Sequence, residues 1–353
     1  MTFFSEDIEQ YIGKGEMSIT DAMEHIDKNA KGLLFITDTD GVLQGCISDG
    51  DIRRWIIRTG DLKGTVDEAM NRSPKYIYKD EEQAGVDIMK RYLIGAVPVL
   101  DTKRRIVGVL TATSDGTQTN YSEMLKDVPV FIMAGGKGTR LYPYTKILPK
   151  PLVPIGEIPI IERIMDHFSS QGTSCFMVSV NYKKEILKAY LNELGQYNIK
   201  YVEEDRPLGT AGSLKLAKDD MPGLFFVTNC DIVVKADYGR MLEYHKKNKN
   251  DMTIVASLKK TILPYGVLHT KEEGAVTALE EKPKHNYLVN TGMYILSKDC
   301  LDLIPDETTY HMTDLADALL KQNRKVGAFP VSEESFFDMG EFSELQRMEA
   351  LFE

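Results

Sequence analysis

The sequence lacks any paired-cysteine signature. Its four cysteines, Cys46, Cys175, Cys230 and Cys300, are scattered and form no CxxC step, so neither a disulfide framework nor a zinc site is expected. No apolar run approaches the ~18 residues of a membrane span. The start, MTFFSEDIEQ, has no basic stretch leading into an apolar one, as a secretory signal would require. Cations are in deficit: 43 Lys and Arg stand against 53 Asp and Glu, a formal charge of -10. That balance argues against a nucleic-acid partner, whose phosphates demand Lys and Arg. It leaves room for a small phosphorylated substrate, which needs a few local cations. These absences predict a reduced, soluble, cytoplasmic protein. With 42% hydrophobic residues over 353 positions, and roughly 100–200 residues per domain, two or three ordinary domains are expected.

The first third repeats itself. GLLFITDTDGVLQGCISDGD (32–51) aligns without a gap on GAVPVLDTKRRIVGVLTATS (95–114), with an offset of 63 at both Gly32/Gly95 and Gly45/Gly108. Each copy reads as an apolar strand, an Asp-containing turn, a second apolar strand and a Ser or Thr. Helical patterns, ITDAMEHIDK and EEQAGVDIMKRYL, precede them. Self-similarity at a fixed period signals a duplicated supersecondary unit. The pair resembles a tandem of cystathionine-β-synthase (CBS) domains over roughly residues 15–115. In that resemblance GCISDGDIRR (45–54) is the nucleotide-binding end of a repeat, with Ser48 and Asp51 facing a ribose. A carboxylate suits both ribose hydroxyls. The second copy has Thr111, but Ser114 stands where the Asp belongs, so one ligand site is expected rather than two. An adenine or other purine nucleotide is the implied ligand. The alternative is a pair that binds nothing and forms a homo-oligomer.

The stretch TATSDGTQTNYSEMLKDVP is rich in Ser, Thr, Asp and Gly without a sustained apolar period, which is linker chemistry. The expected division is therefore repeats at 1–60 and 61–118, a linker at 119–127, and a further domain over 128–353. In that domain strand-like runs (VPVFIM, CFMVSV, GLFFVTN, MTIVASL) alternate with helical patterns (IPIIERIMDHFSSQG, YKKEILKAYLNELG). Such alternation predicts an α/β domain with a mostly parallel sheet, whose ligands sit at the carboxyl ends of strands.

The richest segment, MAGGKGTRLYPYTKILPKPLVPIG (133–156), follows the first of those strands. Gly135, Gly136 and Gly138 let the backbone turn tightly and bring N–H groups to phosphate oxygens. Arg140 and Lys150 add cations, and Pro149, Pro151 and Pro154 stiffen the run that carries Lys150. A dinucleotide-binding loop would open a helix directly after its glycines. Pro143, Pro149, Pro151 and Pro154 prevent one, which disfavours a nicotinamide-dependent oxidoreductase. GxxxxGK[ST] is absent, so there is no Walker loop.

GGKGTRL followed by PKPL closely resembles the signature of the sugar-1-phosphate nucleotidyltransferase family, and the resemblance extends over about 128–340. It implies a mixed, mostly parallel Rossmann-like sheet behind the CBS (α+β) pair. It implies nucleotide binding by Ala134, Gly135, Gly136, Gly138 and Thr139, and by the loop EEDRPLGTAGSLKLA through Pro207, Gly209 and Thr210. Asp231, after the strand of FFVTNCDIVV, is the implied metal ligand, with Asp338 of FFDMG as the second, although Glu341 replaces a Thr usual there. Gly266 of PYGVLHT, Glu281 of EKP, and Asn290 and Thr291 of VNTG are implied to line the sugar pocket, and Lys282 to hold the sugar phosphate. Arg140, Lys150 and Lys282 are the expected catalytic cations, and Mg²⁺, or Mn²⁺, the expected ion, since carboxylates suit a hard cation. No His is among the implied site residues. His285, near EKP, is read as incidental. No hexapeptide repeats follow, so a β-helical acetyltransferase domain is not expected.

A CBS pair ahead of a short transferase resembles bacterial surface-glycan guanylyltransferases acting on mannose-1-phosphate-like or glucosamine-1-phosphate substrates. GTP is expected on that resemblance alone, with dTTP, UTP or CTP as alternatives. A non-catalytic nucleotide-sensing scaffold is the rival. A dead relative would be expected to lose Arg140, Lys150 or Asp231, and all three are present.

Overall fold

A computed structural model of the chain describes residues 2–5, 8–29, 32–60, 62–92, 94–112 and 121–340. Ser114, Glu341 and residues 119–120 of the expected linker lie outside the described residues. The chain forms two compact units. One comprises Met1–Thr119, Leu258–Leu288 and Ser332–Glu334, the other Asn120–Ser257, Val289–Val331 and Ser335–Glu353.

In the front unit the sequence duplication is a duplication of backbone. Leu33–Thr37 pairs antiparallel with Leu43–Ser48, and Ala96–Leu100 with Ile106–Ala112. The registers match at the offset of the sequence repeat: Leu33 faces Ser48 as Ala96 faces Thr111, and the irregularity at Ile36/Thr37 recurs at Val99/Leu100. A short parallel strand flanks each hairpin, Ile12–Gly13 and Ile77–Tyr78. The repeats meet about a local twofold. The Leu43 N–H donates to the Arg104 carbonyl at 3.1 Å, and the Ile106 N–H to the Gly41 carbonyl at 3.2 Å. Leu33, Phe35 and Leu43 share one core with Ala96, Leu100, Ile106 and Val109. Each repeat thus buries an apolar face that neither could cover alone. The expected helices occupy Ile19–Asn29 and Glu82–Tyr92.

Leu258–Leu288 joins this unit through specific contacts. Leu258 enters the core formed by Ile19, Met23 and Ile26. Lys260 Nζ reaches Asp21 at 3.1 Å and Glu24 at 3.4 Å on the first helix. The segment then turns through a hairpin, Val267–Thr270 against Val276–Glu280.

The second unit is built on a seven-stranded sheet in the order Ile199–Glu203, Phe176–Val180, Val130–Met133, Leu224–Asn229, Lys284–Ser297, Met252–Ile262, Val326–Val331. The first four strands pair in parallel, while Leu224–Asn229 and Lys284–Ser297 run antiparallel. Strand alternation divides the core. Val130 and Ile132 face one side with Phe168, Leu187 and Met241 from helices. Phe131 and Met133 face the other with Leu214, Leu315 and Leu319. Helices therefore cover both faces, as a mostly parallel sheet requires. Inside the stretch expected as linker, Tyr121–Leu125 forms a short helix with Leu125 fully buried in the core.

Candidate nucleotidyl-transfer site

Parallel register brings the chemistry to one edge of the sheet. Met133 pairs with Ser179 on one side and Asn229 on the other, and Val180 pairs with Glu203. The residues that follow these strands, Ala134–Gly135, Asn181, Glu204 and Cys230–Asp231, therefore emerge together at the carboxyl ends, where α/β sheets hold ligands.

Ala134 is buried, and its N–H donates to the Ser179 carbonyl at 3.2 Å. The chain then turns outward: Gly136, Thr139 and Arg140 are exposed. Gly138 has φ 64, and a Cβ there would stand 2.8 Å from Lys150 Cβ. Both facts require glycine. The Thr145 hydroxyl fastens the loop, donating to the Gly138 carbonyl at 2.8 Å. Pro149 precedes Lys150 in extended conformation, and Lys150–Leu152 form one 3₁₀ turn. The lysine stem is thereby packed against the glycine loop.

Lys150 Nζ donates to Asp231 Oδ2, and both side chains are about nine-tenths buried, at 12% and 10% exposure. Ile232–Val234 pairs with Phe336–Asp338, and the Met339 N–H donates to the Asp231 carbonyl at 2.8 Å. This hairpin-like pairing sets Asp338 beside Asp231. Burial, then the Asp231 charge, push the Asp338 carboxyl above the usual range, while the Gly340 N–H, Lys150 and Arg140 pull it down. Arg140 closes the group: a Cβ on Gly340 would lie 2.8 Å from Asp338 Oδ1 and 3.2 Å from an Arg140 guanidinium nitrogen. Of the expected residues, Arg140, Lys150, Asp231 and Asp338 thus converge. Two carboxylates side by side, one buried and one partly buried, form an all-oxygen donor set, which fits a hard divalent cation. Neighbouring Cys230 is buried and its thiol is pushed up to about 12, so it is no nucleophile.

The loop Pro207–Thr210 is held differently at each residue. Gly209 has φ 79 and opens the helix Gly209–Leu216. The Thr210 hydroxyl accepts from the Met312 N–H at 3.0 Å, and the exposed Pro207 carbonyl accepts from the Thr309 hydroxyl at 3.3 Å. These contacts fix the loop.

Glu204 was not expected at the site. It is 6% exposed, one carboxylate oxygen accepts the Leu208 N–H at 3.1 Å, and the other lies 2.7 Å from where a Gly135 Cβ would stand. Burial pushes its pKa up. Its neighbour shows the contrast: Lys184, at 2.5 Å, and Lys188 hold exposed Glu203 down to about 2. In the sequence Glu204 stands in the acidic run Glu203–Asp205, and no local signal separates it from its neighbours.

The expected sugar residues are distributed between the units. Gly266 and Glu281 face each other at the base of the exposed hairpin, where a Gly266 Cβ would be 2.9 Å from Glu281 Oε2, and exposed Lys282 adopts φ 48. These three belong to the front unit. Asn290 and Thr291 belong to the second. The Thr291 hydroxyl is buried and donates to the Val255 carbonyl at 2.8 Å, a structural bond, while Asn290 Nδ2 donates to Tyr294 Oη at 2.8 Å. In the front unit Ser48 is the N-cap of helix Asp49–Thr59 and Asp51 completes a capping box. Asp51 Oδ2 accepts from Ser48 N–H and Oγ at 2.9 and 2.6 Å, and Oδ1 pairs with Arg54 at 2.5 Å.

A family model described as nucleotidyl transferase matches residues 129–352. The chain belongs to that family. A CBS domain model matches residues 14–58, the first of the two repeats. The mannose-1-phosphate guanyltransferase of Yarrowia lipolytica is 40% identical over 185 residues, 49% of this chain and 50% of that protein. Its counterpart from Saccharomyces cerevisiae is 37% identical over 191 residues, 50% of this chain and 52% of that protein. The chain thus spans about half the length of the curated relatives it matches. Among solved structures, HddC from Yersinia pseudotuberculosis complexed with GMP-PN superposes with TM-score 0.52 at 26% identity, covering 64% of this chain and 100% of that one. Among the described residues, no helix is long and apolar enough to cross a membrane.

Proposed function

We propose that this protein is a sugar-1-phosphate guanylyltransferase: a sugar-1-phosphate oxygen attacks the α-phosphorus of GTP, pyrophosphate leaves, and a GDP-sugar forms for surface-glycan synthesis in the cytoplasm. The observation that carries the reading is the convergence of Arg140, Lys150, Asp231 and Asp338 at the carboxyl edge of the sheet. Asp231 and Asp338 would hold Mg²⁺, or Mn²⁺, which supplies charge neutralisation at the phosphates. The protein's own work is alignment of two polyanions. Gly135, Gly136, Gly138 and Thr139 offer backbone donors to the triphosphate. Arg140 and Lys150 offset charge on the β- and γ-phosphates. The family resemblance assigns the sugar phosphate to Lys282 and the sugar to Gly266, Glu281, Asn290 and Thr291. The nucleophile is already an anion at neutral pH, so no general base is required.

Glu204 supports GTP over UTP and dTTP. Guanine offers two adjacent donors, N1–H and the N2 amine, to a carboxylate. Uracil and thymine offer one N–H between two acceptors, and a buried carboxylate facing acceptors is unfavourable. The test is pyrophosphate release over a panel of GTP, dTTP, UTP, CTP and ATP against mannose-, glucosamine- and glucose-1-phosphates. GTP with a mannose- or glucosamine-type acceptor is expected to lead. Silence across the whole panel would leave the scaffold reading in its place.

For the front pair we propose a role in forming a homo-oligomer through its repeats. A purine nucleotide at Ser48 and Asp51 is the second proposal for it, and such a ligand would have to take Asp51 from Arg54 and from its own helix cap.

A further inference from the structure

Lys150 is placed on a carboxylate, not toward the open loop where a triphosphate would lie. We infer that the Lys150 ammonium is a resident counter-cation: it pairs with Asp231 and offsets part of the Asp231–Asp338 charge, competes there with a divalent ion, and is released to the triphosphate when that ion binds. The inference rests on the transferase reading above, and extends it from what the residues bind to the order in which they are freed.

Three observations carry it. Asp231 is 7% exposed and sits beside Asp338, itself partly buried. Two such carboxylates need a cation at once, because desolvated like charges oppose each other strongly. Lys150 Nζ makes that contact on Asp231 with a side chain only 12% exposed, so its own charge is also desolvated and held by the pairing. The backbone under Lys150 is fixed by Pro149 and Pro151 and by the close approach of Gly138 to its Cβ. Only the first carbons of its stem pack against Gly138, so the outer stem and head are the part that can turn, and a lysine head is a compact charge. Arg140 differs. It is exposed, and its guanidinium lies near Asp338 and Gly340 without a salt bridge to Asp231 among the described residues.

The consequence separates two effects of one side chain. Removing Lys150 removes a phosphate partner, which lowers turnover, and removes a competitor, which tightens metal binding at rest. A lysine that served phosphate alone would give the first effect without the second.

Mn²⁺ binding to the full chain without nucleotide, read from the free-ion electron paramagnetic resonance signal, tests this. Lys150→Met and Lys150→Gln are expected to bind Mn²⁺ about 10-fold or more tightly than wild type, and to gain thermal stability on Mn²⁺ addition where wild type gains little. Arg140→Met, the control for a general loss of positive charge, is expected to shift affinity by no more than about threefold. Mn²⁺ affinity in both Lys150 variants equal to or weaker than wild type, or a shift no larger than that of Arg140→Met, overturns the inference. Should both variants be unfolded without metal, refolding on Mn²⁺ addition by circular dichroism supports it, and failure to refold overturns it. Failure of the transferase reading is seen elsewhere, as absent pyrophosphate release by wild type.

Discussion

Two carboxylate sites on this chain look alike in sequence and differ in what their surroundings ask of them. Asp231 and Asp51 each follow an apolar strand at a position that a family resemblance marks for a ligand. Asp51 is locally complete: its oxygens accept from Ser48 and pair with Arg54, within one turn of a single helix. Asp231 is completed only by a residue 81 positions away, Lys150, and stands beside Asp338, whose pKa burial and Asp231 raise. A carboxylate that closes its own helix start stabilises the fold. Carboxylates crowded together against their own electrostatics are typical of a site organised for a ligand. The difference teaches that position after a strand nominates a residue, and the partners decide its role.

The sharpest way to break that comparison is at the crowded site. Asp231→Asn is expected to abolish pyrophosphate release at ordinary Mg²⁺, since an amide is a poor ligand for a hard cation. EDTA should do the same to wild type, with recovery on adding Mg²⁺ or Mn²⁺. Full activity of Asp231→Asn in a steady-state pyrophosphate assay would make Asp231 as structural as Asp51. Arg140→Ala and Lys150→Ala should each lower kcat by about 100-fold or more, the scale seen when a transition-state charge partner is lost. Circular dichroism should show Arg140→Ala folded, because its side chain is exposed.

A smaller effect is expected at Glu204. Glu204→Gln keeps an acceptor for the Leu208 N–H but replaces one acceptor by a donor. The kcat/KM ratio of GTP over dTTP or UTP should fall roughly 10–100-fold, as when one polar partner of a base is mismatched. An unchanged ratio would assign Glu204 to holding the loop Pro207–Thr210 and remove the physical support for guanine.

Much of this was legible beforehand, and for stated reasons. The 63-residue offset survives as a shared register because strand pairing copies an alternating apolar pattern. The strands Val130–Met133 and Leu224–Asn229 follow from continuous apolar runs, and the glycine loop from glycines that the prolines keep out of a helix. Three features were not legible. Nothing local marks Leu258–Leu288 as part of the front unit, since Lys260 meets Asp21 across 239 positions. The Lys150–Asp231 pairing is equally remote. Glu204 reads as one acidic residue in an acidic run until burial separates it from Glu203.

The smallest effect is expected at the locally complete site, and it tests the other half of the comparison. Asp51→Ala removes a capping box from helix Asp49–Thr59 and frees Arg54, whose side chain is 71% exposed. Loss of a cap costs about 1 kcal/mol of stability, and an exposed ion pair adds little. The variant should therefore lose about that much in urea unfolding of the front transition, keep its oligomeric state by light scattering, and turn over GTP within about twofold of wild type. Calorimetry with AMP, ADP and ATP completes the test on wild type and Asp51→Ala. If a purine nucleotide binds wild type, is lost in Asp51→Ala and changes turnover, then Asp51 leaves its cap for a ligand. The coupling between the two sites would then be read as the turnover ratio with and without nucleotide, within the roughly 5–150-fold that differential affinity ordinarily allows. If none binds and the oligomer persists, the capping box is the whole role of Ser48 and Asp51, and the front pair serves assembly alone.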